Sequence, residues 1–159
     1  MLVVDDSRQV RQRLQEVVRA DGRFAVVGLA DDGHAAVRLV AELLPDLVLM
    51  DMQMPQMDGL EATRRIKAHP QAPAVLMVTL NDSPAWRAAA KAAGADGLVS
   101  KAGMSRTLPR RLSDMRRGLE QAKQRRARRQ SEGRSRKEGG HRLQISVNKG
   151  DGGESSRAS

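Results

Sequence analysis

Short apolar runs alternate with amphipathic stretches over the first 105 residues of the chain. Two runs, DLVLMD at 46–51 and AVLMVT at 74–79, are apolar almost throughout, which is typical of strands that are buried on both faces. The other runs are MLVV at 1–4, which is short for a central strand, FAVVGLA at 24–30, and the short run GLVS at 97–100. Five strands are predicted in this way, at 1–4, 24–30, 46–51, 74–79 and 97–100.

Between these runs, apolar residues recur at three- and four-residue spacing, which predicts amphipathic helices. Ser7 and Ser83 are suited to cap two of them, and Pro84 suits a first helical position. The predicted helices cover residues 7–19, 36–44, 59–68 and 84–93, and a fifth begins near residue 105. Strict alternation of strand and helix predicts an α/β fold, with a doubly wound parallel sheet between two layers of helices.

Polar residues follow the predicted strands. Asp5 and Asp6 come after the first strand, Asp51 ends the third, Thr79 ends the fourth, and Lys101 follows the fifth. The carboxyl ends of parallel strands meet at one edge of the sheet, where ligands bind in such folds.

Three carboxylates at one edge repel one another and stay ionised only beside a cation, and an oxygen-only set favours Mg²⁺. Lys101 and Thr79 add a positive charge and a hydroxyl, both suited to phosphoryl oxygens. Together these groups predict a site that transfers a phosphoryl group to Asp51.

Composition narrows the class of protein. The chain has no Cys, which excludes disulfides and thiolate metal sites. It shows no secretory signal and no apolar run long enough to span a membrane, so a cytoplasmic protein is predicted. Residues 1–105 carry 12 Lys and Arg against 13 acidic residues, whereas residues 106–159 carry 16 against 6. The net charge of +9 therefore belongs to the C-terminal part.

Four short motifs resemble the receiver domain of two-component response regulators. They are VVDDS at 3–7, LMDMQMPQMDG at 49–59, VT at 78–79 and VSKAG at 99–103, in the order and at the spacing of that family. The resemblance covers roughly residues 1–120. It implies a five-stranded sheet in the flavodoxin-like order 2-1-3-4-5 over residues 1–120, and composition marks residues 121–159 as a basic tail.

The resemblance also implies roles for the residues at the strand ends. Asp51 would be the phosphoacceptor, and Thr79 and Lys101 would hold the phosphoryl group. Mg²⁺ would be bound by Asp6, Asp51 and the backbone carbonyl of Gln53, with Asp5 acting through a water. The donor would be a sensor histidine kinase or a phosphotransfer protein, and an unknown downstream protein would bind the face formed by helix 4, strand 5 and helix 5.

Three positions depart from the family pattern. Leu98 stands where most members have an aromatic residue, Ala102 stands where a Pro is common, and Leu80 replaces a small residue. We expect Leu98 to alter the usual switch, and Leu80 to slow phosphoryl entry or hydrolysis by crowding Asp51.

The tail leaves two interpretations open. From about residue 130 it has too little apolar material to offset the entropy of ordering, so disorder is predicted. It is either an electrostatic arm for nucleic acid or an anionic membrane, without sequence specificity, or an idle extension or remnant of an output domain. The absence of aromatic residues among the arginines favours the second interpretation.

Three functions compete at this point. The first is a receiver that signals by phosphorylation-dependent contacts, and the second is a DNA-binding regulator that has lost its helix-turn-helix domain. The third is a phosphatase of the haloacid dehalogenase type, which needs an acid two residues after its nucleophile. Here that residue is Gln53, which cannot donate a proton as an acid. The first function is favoured, without turnover of a free substrate.

Overall fold

The computed structural model describes the backbone of residues 1–144 and the side chains of residues 1–129. Strands and helices alternate along the chain as the hydrophobic pattern predicts. The strands are β1 (Leu2–Val4), β2 (Gly28–Ala30), β3 (Leu47–Asp51), β4 (Ala74–Thr79) and β5 (Gly97–Ser100). The helices are α1 (Arg8–Asp21), α2 (Gly33–Leu43), α3 (Gly59–Lys67), α4 (Pro84–Ala92) and α5 (Met104–Gln144).

All strand pairs are parallel, and the sheet has the order β2-β1-β3-β4-β5. This confirms the predicted fold class and strand order. The order reverses direction at β1, because β2 lies on one side of it and β3 on the other. The carboxyl ends of β1 and β3 therefore adjoin the crevice in which ligands bind in doubly wound sheets.

Successive residues of the central strands pack into two separate cores, one on each face of the sheet. Leu2 and Val4 of β1 face the core that α2, α3 and α4 cover, whereas Val3 faces the core that α1 and α5 cover. The five residues of β3 are all buried, as its apolar run predicts. Trp86 of α4 is half-buried and packs against the first of these cores.

Strand β2 is shorter than the run at 24–30 predicts. Only Gly28–Ala30 pair with β1, because β1 itself has only three residues. β2 lies at the edge of the sheet, so no second strand extends it. Val27 still donates its amide to the Met1 carbonyl, at 2.8 Å, but its side chain is exposed.

Helix α5 runs from Met104 to Gln144. The disorder that composition predicts from about residue 130 stays a prediction. Arg, Lys, Gln and Ala dominate the middle of this helix and all have high helix propensity, which does not depend on an apolar face. The prediction of disorder for residues 145–159 lies outside the described residues. The chain divides into the units Met1–Leu119 and Glu120–Ser159, which are treated separately below.

Among the described residues, no helix combines the length and the apolar character that crossing a bilayer requires.

Candidate functional site

Three carboxylates meet at the carboxyl ends of β1 and β3. Asp5 and Asp6 directly follow β1, and Asp51 is the last residue of β3. One carboxylate oxygen from each lies within 4.8 Å of the others. Asp5 and Asp51 are buried, and Asp6 is exposed. The sheet register brings the two strand ends together, because Val4 of β1 pairs with Met50 of β3.

Lys101 reaches this cluster from the end of β5. Its Nζ lies 2.7 Å from Asp5 Oδ2 and 3.0 Å from Asp51 Oδ1. The Lys101 backbone amide donates to the Thr79 carbonyl at 2.7 Å, which continues the β4–β5 ladder by one residue and fixes where the side chain starts. One ammonium thus bridges two buried carboxylates that come from different strands.

The electrostatics of the site follow from this burial. Loss of water raises the pKa of the Asp51 carboxyl above its ordinary value, and repulsion from Asp5 acts in the same direction, against hydrogen bonds from Lys101 and from the Gln53 backbone. Burial alone would lower the pKa of the Lys101 ammonium, but its hydrogen bonds to Asp5 and Asp51 outweigh burial and raise that pKa. The lysine is therefore held in its charged form.

The loop after β3 is shaped by close contact with the strand end. Met52 donates its amide to Val78, and Gly59 donates its amide back to the Met52 carbonyl at 3.1 Å. A side chain at position 59 would place its first carbon 1.9 Å from the Asp51 carbonyl oxygen, so only glycine fits there. Asp58 caps α3 by accepting from the Glu61 amide at 2.8 Å. The Asp58-Gly59 pair thus closes the loop onto the end of β3.

Thr79 is buried, and its hydroxyl is engaged locally. Its Oγ1 accepts from the Asn81 amide at 3.1 Å and lies 3.3 Å from the Asn81 carbonyl.

The structure therefore brings Asp5, Asp6, Asp51 and Lys101 into one cluster, with Thr79 at the end of the neighbouring strand and its hydroxyl turned to its own loop. Gln53 is exposed, and its backbone amide faces the Asp51 carboxylate.

The three departures from the family pattern have different surroundings. Leu98 is buried in the core that α2, α3 and α4 cover, so it fills a core position. Leu80 is 74% exposed, which is the highest exposure, shared with Leu44, among the large apolar side chains described. Ala102 is exposed, and its amide donates to the Ser100 hydroxyl at 3.2 Å.

Sequence reasoning missed Arg11. Its Nη1 donates to the backbone carbonyls of Asp5, at 2.5 Å, and Asp6, at 3.2 Å. Arg11 lies four residues after Ser7, which caps α1, so its long side chain reaches from the first turn back to the end of β1. Ser7 also donates its amide to Asp5 Oδ1 at 2.9 Å. A basic residue in the first turn, where the helix dipole disfavours it, was the signal available in the sequence.

Comparison with known proteins agrees with this geometry. Residues 1–113 match the family described as the response regulator receiver domain, and the chain belongs to that family. It is 54% identical over 80 residues to protein-glutamate methylesterase/protein-glutamine glutaminase 4 of Myxococcus xanthus, an overlap of 50% of this chain and 23% of that protein.

Two solved structures are similar over most of the receiver. The response regulator domain of Thermotoga maritima CheB has a TM-score of 0.65 at 31% identity, covering 74% of this chain and 92% of that chain. A LuxR-family two-component response regulator from Aurantimonas sp. has a TM-score of 0.70 at 33% identity, with coverage of 74% and 84%.

The chain spans only part of the curated relatives that it matches. It covers 23%, 38% and 33% of the length of three of them. The methylesterase and transcriptional activities in their names belong to those whole proteins. What the match gives this chain is a receiver domain of a two-component response regulator.

Proposed function

We propose that this receiver accepts a phosphoryl group on the Asp51 carboxylate from a phosphohistidine of a partner protein, with Mg²⁺ bound beside it. The observation that supports this most directly is the cluster itself, in which three carboxylate oxygens from Asp5, Asp6 and Asp51 lie within 4.8 Å of one another. Lys101 lies against two of these carboxylates.

The donor set fits Mg²⁺. Every side-chain ligand available in the cluster is a carboxylate oxygen, and hard oxygen ligands suit Mg²⁺. Three carboxylates and one ammonium leave the cluster negatively charged, even with the Arg11 guanidinium close by. Asp6, Asp51 and the Gln53 carbonyl would hold the ion, and Asp5 would act through a water. When bound, Mg²⁺ would neutralise charge on the phosphoryl oxygens.

The protein groups have separate tasks in the transfer. An Asp51 oxygen attacks phosphorus, the bond from phosphorus to the histidine nitrogen breaks, and the nitrogen keeps the bonding electron pair. Lys101, held charged by Asp5, stabilises the negative phosphoryl oxygens. The Thr79 hydroxyl would leave Asn81 to donate to the phosphoryl group, which would carry the change into the loop before α4.

The transfer couples to a protein surface. We propose that a downstream protein binds the face formed by α4, β5 and α5, whose two helices carry the exposed basic side chains of Lys91, Arg106 and Arg110. An acidic partner surface would complement these side chains.

We also propose that the domain turns over no free substrate. Its cytoplasmic location stays a prediction from the sequence.

Incubation with acetyl phosphate and Mg²⁺, followed by intact-mass measurement, tests the acceptor. The wild-type chain should gain one phosphoryl group, and omission of Mg²⁺ or the change Asp51→Asn should abolish the gain. Asp82→Asn is the matched control, since Asp82 is an exposed acid in the loop after β4 that pairs with Arg87. Labelling of the Asp51→Asn chain to the wild-type level would disprove the assignment of Asp51.

A further inference from the structure

A dense run of positive charge lies in the second unit of the chain, at residues 120–129, here called the basic segment. It contains five Lys and Arg residues and one Glu. All ten residues are helical and exposed. The basic segment plays no part in the phosphoryl chemistry proposed above, so its charge needs a separate explanation.

The charge density of the basic segment is close to that of duplex DNA. Its cations, which are Lys123, Arg125, Arg126, Arg128 and Arg129, lie along about 9 Å of helix at about 1.5 Å per residue. That is roughly one positive charge per 2 Å, against about one negative charge per 1.7 Å of duplex axis. Like charges three and four residues apart also repel each other in a helix, and a polyanion removes that cost.

The distribution of charge around the helix favours a groove over a flat surface. At 3.6 residues per turn, Arg126 and Arg128 point about 160° apart. A membrane surface contacts one side of a helix and binds more tightly where that side is apolar, whereas the basic segment has only Ala122 and Ala127 as apolar residues. The DNA major groove, about 12 Å wide, admits a helix with phosphates on both sides, and the major groove of duplex RNA is too narrow.

We propose that the basic segment binds duplex DNA by lying in the major groove and contacting phosphates on both strands, without reading the base sequence. The absence of aromatic residues among the arginines argues against stacking on single strands, and phosphate contacts to a duplex need no stacking. This inference does not depend on phosphorylation of Asp51.

Fluorescence anisotropy of the full chain with a labelled duplex of about 20 base pairs tests the proposal. Five phosphate contacts predict a slope of about −4.5 for log K against log salt, so affinity should fall roughly 500-fold between about 50 and 200 mM salt. Replacing Arg125, Arg126 and Arg129 by Gln should reduce the magnitude of the slope by about 2.7. Replacing the same three residues by Lys should preserve it.

The matched control removes three exposed arginines of the receiver, by Arg38→Gln, Arg64→Gln and Arg65→Gln. It should leave the slope unchanged, and an equal loss of slope would show that only net charge matters and overturn the proposal. Undetectable binding at low salt would overturn it too. So would equally tight binding to duplex RNA or to vesicles containing phosphatidylserine, the latter pointing to a membrane surface instead.

Discussion

Two lysine–aspartate clusters lie at opposite ends of the same sheet, and they differ in charge balance and burial. At the amino end of β4, Lys67 donates to Asp96 Oδ2 at 2.6 Å and to the Pro73 carbonyl at 2.9 Å, and Asp96 also accepts from the Val75 amide. The Asp96 side chain is 42% exposed. At the carboxyl end, Lys101 faces two carboxylates that are almost fully buried.

The difference separates a structural ion pair from a reactive site. The Lys67–Asp96 pair is neutral as a whole and hydrogen-bonds to the backbone, so it holds two loops in place. The cluster at Lys101 keeps an excess of negative charge in a place shielded from water, which costs stability unless a cation joins it. Both ends of the sheet pair Lys with Asp, so the difference between a structural and a reactive role comes from burial and charge balance and not from residue type.

The largest expected effect comes from removing Lys101, and removal of Lys67 is the control. Lys101→Met should slow labelling by acetyl phosphate about 100-fold or more, because a group that stabilises the phosphoryl oxygens is lost. Lys67→Met, at the other end of the sheet, should label at the wild-type rate. Timed intact-mass measurements give both rates, and circular dichroism checks that each variant is folded. Equal rates for the two variants would remove the distinction between the clusters.

Arg11→Ala should weaken Mg²⁺ binding about 10-fold, the usual size of an effect from a group behind the ligands. The reason is that Arg11 orders the backbone of Asp5 and Asp6 without being a ligand itself. Calorimetric titration with Mg²⁺ measures the affinity directly. Arg8→Ala, an exposed arginine of the same helix, is the control and should bind as the wild type does. Arg11→Lys should recover part of the loss, and no change for Arg11→Ala would contradict this role.

Lys67→Met should lower the free energy of unfolding by roughly 1–2 kcal/mol, since Asp96 keeps its backbone partner but loses its charged one. Urea unfolding at neutral pH measures this. Addition of Mg²⁺ should stabilise the Lys67→Met and wild-type chains by the same amount, because the ion binds at the other end of the sheet. A smaller gain for the variant would show that the two ends are coupled.

The smallest expected effect concerns pH. The Asp51 pKa is raised above 3.8, so the ionised form is disfavoured in the folded chain. Without Mg²⁺, the wild type should lose stability relative to Asp51→Asn as pH rises from 3.8 through the raised pKa, and the difference should then stay constant. Thermal unfolding of both chains from acid to neutral pH measures it. A difference that does not change with pH would mean that Asp51 ionises as freely in the folded chain as in the unfolded one.

Much of the fold follows from the hydrophobic pattern, because each strand that packs against helices on both faces must be apolar almost throughout. The grouping of Asp5, Asp6, Asp51 and Lys101 also follows, since parallel strands place their carboxyl ends on one edge. That Lys101 bridges two carboxylates could not be predicted from the sequence, because residue spacing does not determine how far a side chain reaches.

Other features of the structure could not be predicted from the sequence, because they depend on contacts between segments that are distant along the chain. The length of β2 depends on how much of β1 it can pair with, and the Asn81 contacts of Thr79 depend on the loop that follows β4. The role of Arg11 could not be predicted either, because it depends on how the first turn of α1 lies against the end of β1.

Trp86 gives the receiver a built-in optical reporter. The chain has one Trp and no Tyr, so near-ultraviolet emission arises almost entirely from one indole on α4. That indole is half-buried, three residues after the Ser83 cap and in the helix that follows the Thr79 loop. A change in that loop on ion or phosphoryl binding is therefore expected to alter the emission of the unlabelled protein, and its time course can be followed by stopped flow.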